Sequence, residues 1–197
     1  MKFLKENGYD ILRFYINQIG ITIFSLVLYF SVSSIEDKTL GLRIKTAISV
    51  FAILFYFALL YTAAWDYGAK DKIRIDAGRE KKRVYKGALM SFFANLINFI
   101  LAGVCLISTL IHRSGAEGAR AVEQVFNLIL RMTNAMYIGL IQGIFSPFEA
   151  DEILYVTLEA IGYFVVPFFA IIVTHIGYVF GLKEIKIFSS KNSKKNK

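Results

Sequence analysis

Four stretches of this chain run for twenty residues or more without a charged side chain. They are Phe14–Ile35 with 22 residues, Thr46–Trp65 with 20, Gly87–Ile111 with 25 and Ala160–Leu182 with 23. A helix rises about 1.5 Å per residue, so about twenty residues cross a hydrocarbon core of about 30 Å. The chain is 56% hydrophobic with a mean hydropathy of +0.52, above the roughly 45–50% apolar content of soluble domains. The excess lies in the four runs, which is the pattern of a polytopic membrane protein. A cleaved signal peptide is the rival reading of the first run, because Ser31-Val32-Ser33 has a small-x-small form. That run exceeds the roughly 7–15 residues of a signal core, so a retained span is expected.

Between the second and third runs lies Asp66–Lys86, where the character of the chain reverses. It carries Lys70, Lys72, Arg74, Arg79, Lys81, Lys82, Arg83 and Lys86 against Asp66, Asp71, Asp76 and Glu80. Such a segment reads as a basic cytoplasmic loop that sets the orientation of its neighbours and contacts anionic lipid headgroups or a protein partner. Trp65 abuts it at the expected headgroup level. The net charge of +8 is concentrated in this segment and in the tail after Leu182. It describes membrane sidedness, and the chain leaves no room for a soluble basic fold that would bind nucleic acid.

Residues 122–146 are ambiguous. They are apolar, but Arg131 sits near their middle, and the charge-free run Met132–Ser146 has only 15 residues. If they cross the membrane, lysines and arginines divide evenly between the two sides. If they do not, 17 of the 23 fall on one side and 6 on the other. The positive-inside rule favours the second arrangement. The predicted fold is therefore an all-α, integral membrane helical bundle. It has four transmembrane helices at about 14–35, 46–65, 87–111 and 153–182, and one amphipathic interfacial or re-entrant helix at 122–146. These form a single domain over residues 1–182, with the basic loop 66–86 and both termini cytoplasmic. A disordered basic tail over 183–197 follows, the membrane is the plasma membrane, and Pro167 kinks the last span.

Within the ambiguous helix, Gln124, Asn127, Arg131 and Asn134 are spaced by 3, 4 and 3 residues and share one face. They form either a water-facing stripe on an interfacial helix or the lining of a polar cavity. Arg131, Asn127, Asn134 and Glu159 are the candidate residues of such a cavity. An ionised Glu159 in a span needs water, a proton or a partner. Arg131 is the candidate, but a simple hairpin turning near residue 149 leaves them about 12 Å apart in depth. A folded-back helix would remove that mismatch. Asn17, Gln18, Asn95 and Asn98 are expected to hydrogen-bond between helices, and Gly139/Gly143 and Gly177/Gly181 fit close helix contacts.

No HExxH motif, paired cysteines or phosphate-binding glycine loop occurs, and Cys105 is the lone cysteine. Asp66, Asp71 and Asp76 are spaced by five, which rotates successive carboxylates by about 140° on a helix, so they are expected to balance nearby lysines rather than converge on a metal. His175, in the last span, reads more as a hydrogen-bonding group than as a proton relay. The expected function is non-enzymatic and without a cofactor: an accessory, scaffold or regulatory membrane subunit whose partners are the bilayer, its anionic lipids and a membrane or cytoplasmic protein. The alternative is a small transporter or channel for a polar or anionic solute.

Overall fold

The computed structural model describes residues 2–32, 34–115 and 118–185. All regular structure among them is helical: α1 (Lys2–Val32), α2 (Lys38–Asp76), α3 (Lys86–Ala94), α4 (Leu96–Arg113), α5 (Gly118–Thr133), α6 (Ala135–Phe145), a single 3-10 turn (Ser146–Phe148) and α7 (Glu152–Leu182). Helices α1, α2, α4 and α7 are long and apolar enough to cross a membrane, while α5 and α6 form a pair bent by 116°. From residue 186 onward the expected tail lies outside the described residues.

The distribution of side chains suits lipid rather than water. Large apolar groups such as Leu54, Phe55, Ile100, Ile107, Phe169 and Ile172 point outward, whereas Ala52, Ala64, Ala102, Ala160 and Ala170 fill the interior. Lipid is as apolar as leucine, so helices in a membrane associate through close backbone approach at small residues. The α2–α7 contact is built this way. A Cβ on Gly177 would lie 2.7 Å from the Tyr61 carbonyl oxygen, and one on Gly68 would lie 2.9 Å from the Leu182 amide. Gly139 and Gly143 of α6 meet α2 at Lys45, Thr46 and Ser49, where the Ser49 hydroxyl also accepts from the Gly139 amide at 2.9 Å. Both glycine pairs singled out by their spacing are thus points of close contact.

Asp37 caps α2, its carboxylate accepting from the amides of Thr39 at 2.8 Å and Leu40 at 3.1 Å. At 39 residues, α2 is about 58 Å long, well beyond the hydrocarbon thickness. This corrects the reading of 66–86 as a loop, because α2 continues to Asp76. Gly78 then adopts φ +70, the Arg79 amide donates to the Arg74 carbonyl and the Gly78 amide to the Ile75 carbonyl. That is the left-handed glycine stop that satisfies the last carbonyls of a helix. The third span also differs from its expected form. It breaks at Asn95, whose side-chain amide donates to the Ser91 carbonyl at 2.9 Å, competing with the helix ladder. At Pro167, by contrast, α7 runs on without interruption.

Contacts between helices settle how residues 114–151 run relative to the bundle. At one end, here the basic end, the start of α3 packs on the end of α7, with Gly87 against Tyr178. At the opposite end, Arg120 near the start of α5 pairs with Glu152 at the start of α7 at 3.8 Å. The bent pair therefore leaves and returns to the same end of the bundle. It has the form of a hairpin with its tip at Asn134.

Candidate functional site

Glu159 lies two turns into α7 and is 0% exposed. A lone carboxylate there would be costly, and three donors from α5 surround it. Arg131 gives a fork, Nε at 2.8 Å and Nη2 at 2.7 Å, and Asn127 Nδ2 donates at 3.1 Å. Asn127 and Arg131 are four residues apart, so one helix face delivers both. The pairing defeats the expected depth mismatch because α6 supplies the return arm. Helices α5 and α7 both descend from the opposite end, and Arg120 to Glu152 and Asn127 to Glu159 share the same offset of 32 residues. Arg131 remains 35% exposed. It opens into a cleft of about 200 Å³ that it shares with Gln124, Asn127 and Glu152. Of the four-residue stripe, only Gln124 faces outward, and Asn127 and Asn134 are buried. One turn from Asn127, buried Glu123 accepts from or shares a proton with His112 Nδ1 at 2.9 Å.

At the hairpin tip, buried Asn134 donates to the Asn98 side-chain oxygen at 3.4 Å and to the Thr133 hydroxyl at 3.1 Å. Asn98 in turn donates to Asn95 at 3.3 Å. The Thr22 hydroxyl of α1 reaches the Thr133 carbonyl at 3.0 Å. The hairpin tip and the break in the third span therefore meet inside the bundle through side-chain amides. Ser91, beneath Asn95, accepts from Thr174 of α7 at 3.2 Å. Gln18 Oε1 and Asn134 Oδ1 are buried acceptors with no donor among the described residues. Beside them a cleft of about 290 Å³ is lined by Gln18, Thr22, Asn98 and Thr133 among apolar neighbours.

The basic end holds a second buried charge centre. Asp71 accepts from Lys86 Nζ at 2.7 Å and from the Tyr178 hydroxyl at 2.7 Å. Lys86 also reaches Glu80 at 3.2 Å, and Arg74 lies 3.6 Å from Asp71. Lys86 is thus a buried structural cation and not a free headgroup contact. Of the other basic residues, Lys70 sits 5.7 Å over the Tyr67 ring and Lys72 pairs with Asp76. Arg79, Lys81 and Lys82 are exposed and Arg83 is half-buried, and their side chains form no ion pair or hydrogen bond among the described residues.

Together these groups make a line of polar side chains through the bundle, buried except for the partly exposed Arg131 and His112. It runs from Lys86, Asp71 and Tyr178, through Thr174, Ser91, Asn95, Asn98 and Asn134, to Arg131, Glu159 and Asn127, and ends at Glu123 and His112. Where no direct bond joins neighbours, Tyr178 and Thr174 on α7 and Asn127 and Glu123 on α5 are one turn apart on a single helix, and Asn134 lies at the bend just past the end of α5, three residues from Arg131. Asp71 was missed as a site residue. Its signal is the buried series Ala64, Tyr67, Gly68 and Asp71, a helical period continuing past Trp65. Among the described residues no group of three or more His, Cys, Asp or Glu is placed to hold a metal ion. No known protein family, curated protein or solved structure matches the chain.

Proposed function

We propose that this protein is a small membrane transport protein for a polar or anionic solute, with the re-entrant tip as its gate. The observation that supports this is the buried polar line, meeting a re-entrant tip and a broken helix inside the bundle. Buried polar and ionised groups are costly at membrane depth, and in membrane proteins they concentrate along solute paths. Interrupted helices are the usual means of presenting such groups near the midplane. Asn95, Asn98 and Asn134 are neutral amides that offer both donors and acceptors, which suits a solute shedding its water. Arg131, held by Glu159 and partly exposed in its cleft, offers its remaining guanidinium N–H groups to a polar solute at the mouth of the opposite end. The reading assigns no catalytic step. By the positive-inside rule the basic end is cytoplasmic, and the plasma membrane is the proposed location.

Flux through liposomes tests it. The purified protein in phosphatidylcholine vesicles should raise the permeation of urea, glycerol or chloride above that of protein-free vesicles. Asn134→Leu should lower that flux about tenfold, the effect of about 1.4 kcal/mol on the barrier. Permeation of all three at the protein-free rate would sink the proposal. The reading then left is an accessory or scaffold subunit, which the exposed cations Arg79, Lys81 and Lys82 at the basic end, without an ion pair among the described residues, favour.

A further inference from the structure

A charged cavity lies at the basic end and shares Lys86 with the buried polar line, while its other lining residues take no part in the transport reading. It has a volume of about 660 Å³ and sits between the first turns of α1, the last turns of α2 and the turn that joins α2 to α3. Its cations are Arg74, Arg79, Lys81, Arg83 and Lys86, and its carboxylates are Glu6, Asp10 and Glu80. Local structure decides which of these charges are available. Lys86, 7% exposed, is fixed by Asp71 and Glu80 and forms a rigid floor. Arg74 faces Asp71 and Glu80 at 3.6 and 3.9 Å. Glu80 is thereby committed to the protein's own cations. Arg79, Lys81 and Arg83 have no such partner among the described residues. The left-handed turn at Gly78 folds these three back beside the end of α2 instead of letting them trail into water.

We infer that this cavity is a binding site for a phosphate group, carried by a lipid headgroup or by a soluble phosphorylated molecule. Guanidinium forks match phosphate oxygens in two-pronged fashion, and a lysine adds a point charge. A membrane-anchored phosphate is a natural occupant where α2 emerges from the bilayer, because clustered cations beside a span attract anionic headgroups. The site differs from a diffuse basic belt, because Lys70 and Lys72 belong to the same segment but do not line the cavity.

The full chain in phosphatidylcholine nanodiscs provides the test, read as the shift in melting temperature during titration. One arm adds phosphatidic acid to the discs, and the other adds soluble inositol hexakisphosphate to discs of phosphatidylcholine alone. At least one should stabilise the protein saturably. A shift in the first arm only identifies a lipid headgroup, and a shift in the second shows that a free phosphate suffices. Arg79→Ala with Lys81→Ala and Arg83→Ala should weaken the apparent affinity about a hundredfold, the combined effect of three cations near an anion. Arg79→Gln alone, an exposed position that leaves the fold intact, should weaken it about fivefold. Lys70→Ala with Lys72→Ala, which removes charge outside the cavity, should leave it unchanged. The inference is overturned if neither arm shifts wild-type melting, if the Arg79 variants bind as wild type does, or if the Lys70 and Lys72 pair loses binding as fully as the triple variant.

Discussion

Glu159 and Arg131 form an unequal pair. The carboxylate is fully enclosed, whereas a third of the arginine side chain meets the cleft. Removing the arginine leaves a buried anion with Asn127 as its remaining donor, and breaking a buried pair in this way costs about 3–5 kcal/mol. Removing the carboxylate leaves a cation that can turn into the cleft, so the cost should be smaller. Arg131→Met should therefore lower the melting temperature in detergent more than Glu159→Gln does. Arg131→Met combined with Glu159→Leu should recover most of the loss, since matched apolar groups replace such pairs at little net cost. Equal melting of Arg131→Met and wild type would show that the pair does not hold the hairpin.

Helix contacts place the backbone at those glycines where a side chain has no room. On Gly181 a Cβ would overlap the Trp65 carbonyl, whereas on Gly103 it would meet nothing within 4 Å. Gly181→Ala should destabilise the α2–α7 contact by about 1–3 kcal/mol, as overpacking generally does. Gly103→Ala should be neutral or slightly stabilising, because it lowers the chain entropy lost in a helix interior. Thermal melts of the two variants side by side check this, and similar losses from both would argue against the close α2–α7 approach. At this scale the glycine spacings were legible in the sequence. The break at Asn95 and the bend at Asn134 were not, because an asparagine inside an apolar run has the same local pattern whether it bonds a neighbouring helix or interrupts its own.

In the whole molecule the bent pair α5–α6, with both its ends at the same end of the bundle, makes four crossings the expected number. With Cys105 replaced by alanine, single cysteines at Ser114 and Glu149 should react with an impermeant thiol reagent from one side of the membrane. A cysteine at Gly78 should react from the other, the cytoplasmic side if the positive-inside rule holds. Labelling of Ser114 and Glu149 from opposite sides would make the bent pair a fifth span and overturn the hairpin.

What the sequence by itself determined was the solvent of each segment. Charge-free runs of twenty residues mark the helices that suit lipid, and the placement of Lys and Arg favours four of them, because both signals are local and additive. It also marked Asn127, Arg131, Asn134 and Glu159 as polar groups in costly positions. Only the tertiary structure decided which of them meet. Glu159 faces Arg131 because α6 brings the chain back to the end from which α5 departed. Asp71 is buried because α2 outruns the bilayer and the start of α3 folds Lys86 onto it. Both contacts depend on the direction of the chain after a break, and that direction is set by packing between distant helices rather than by the residues at the break.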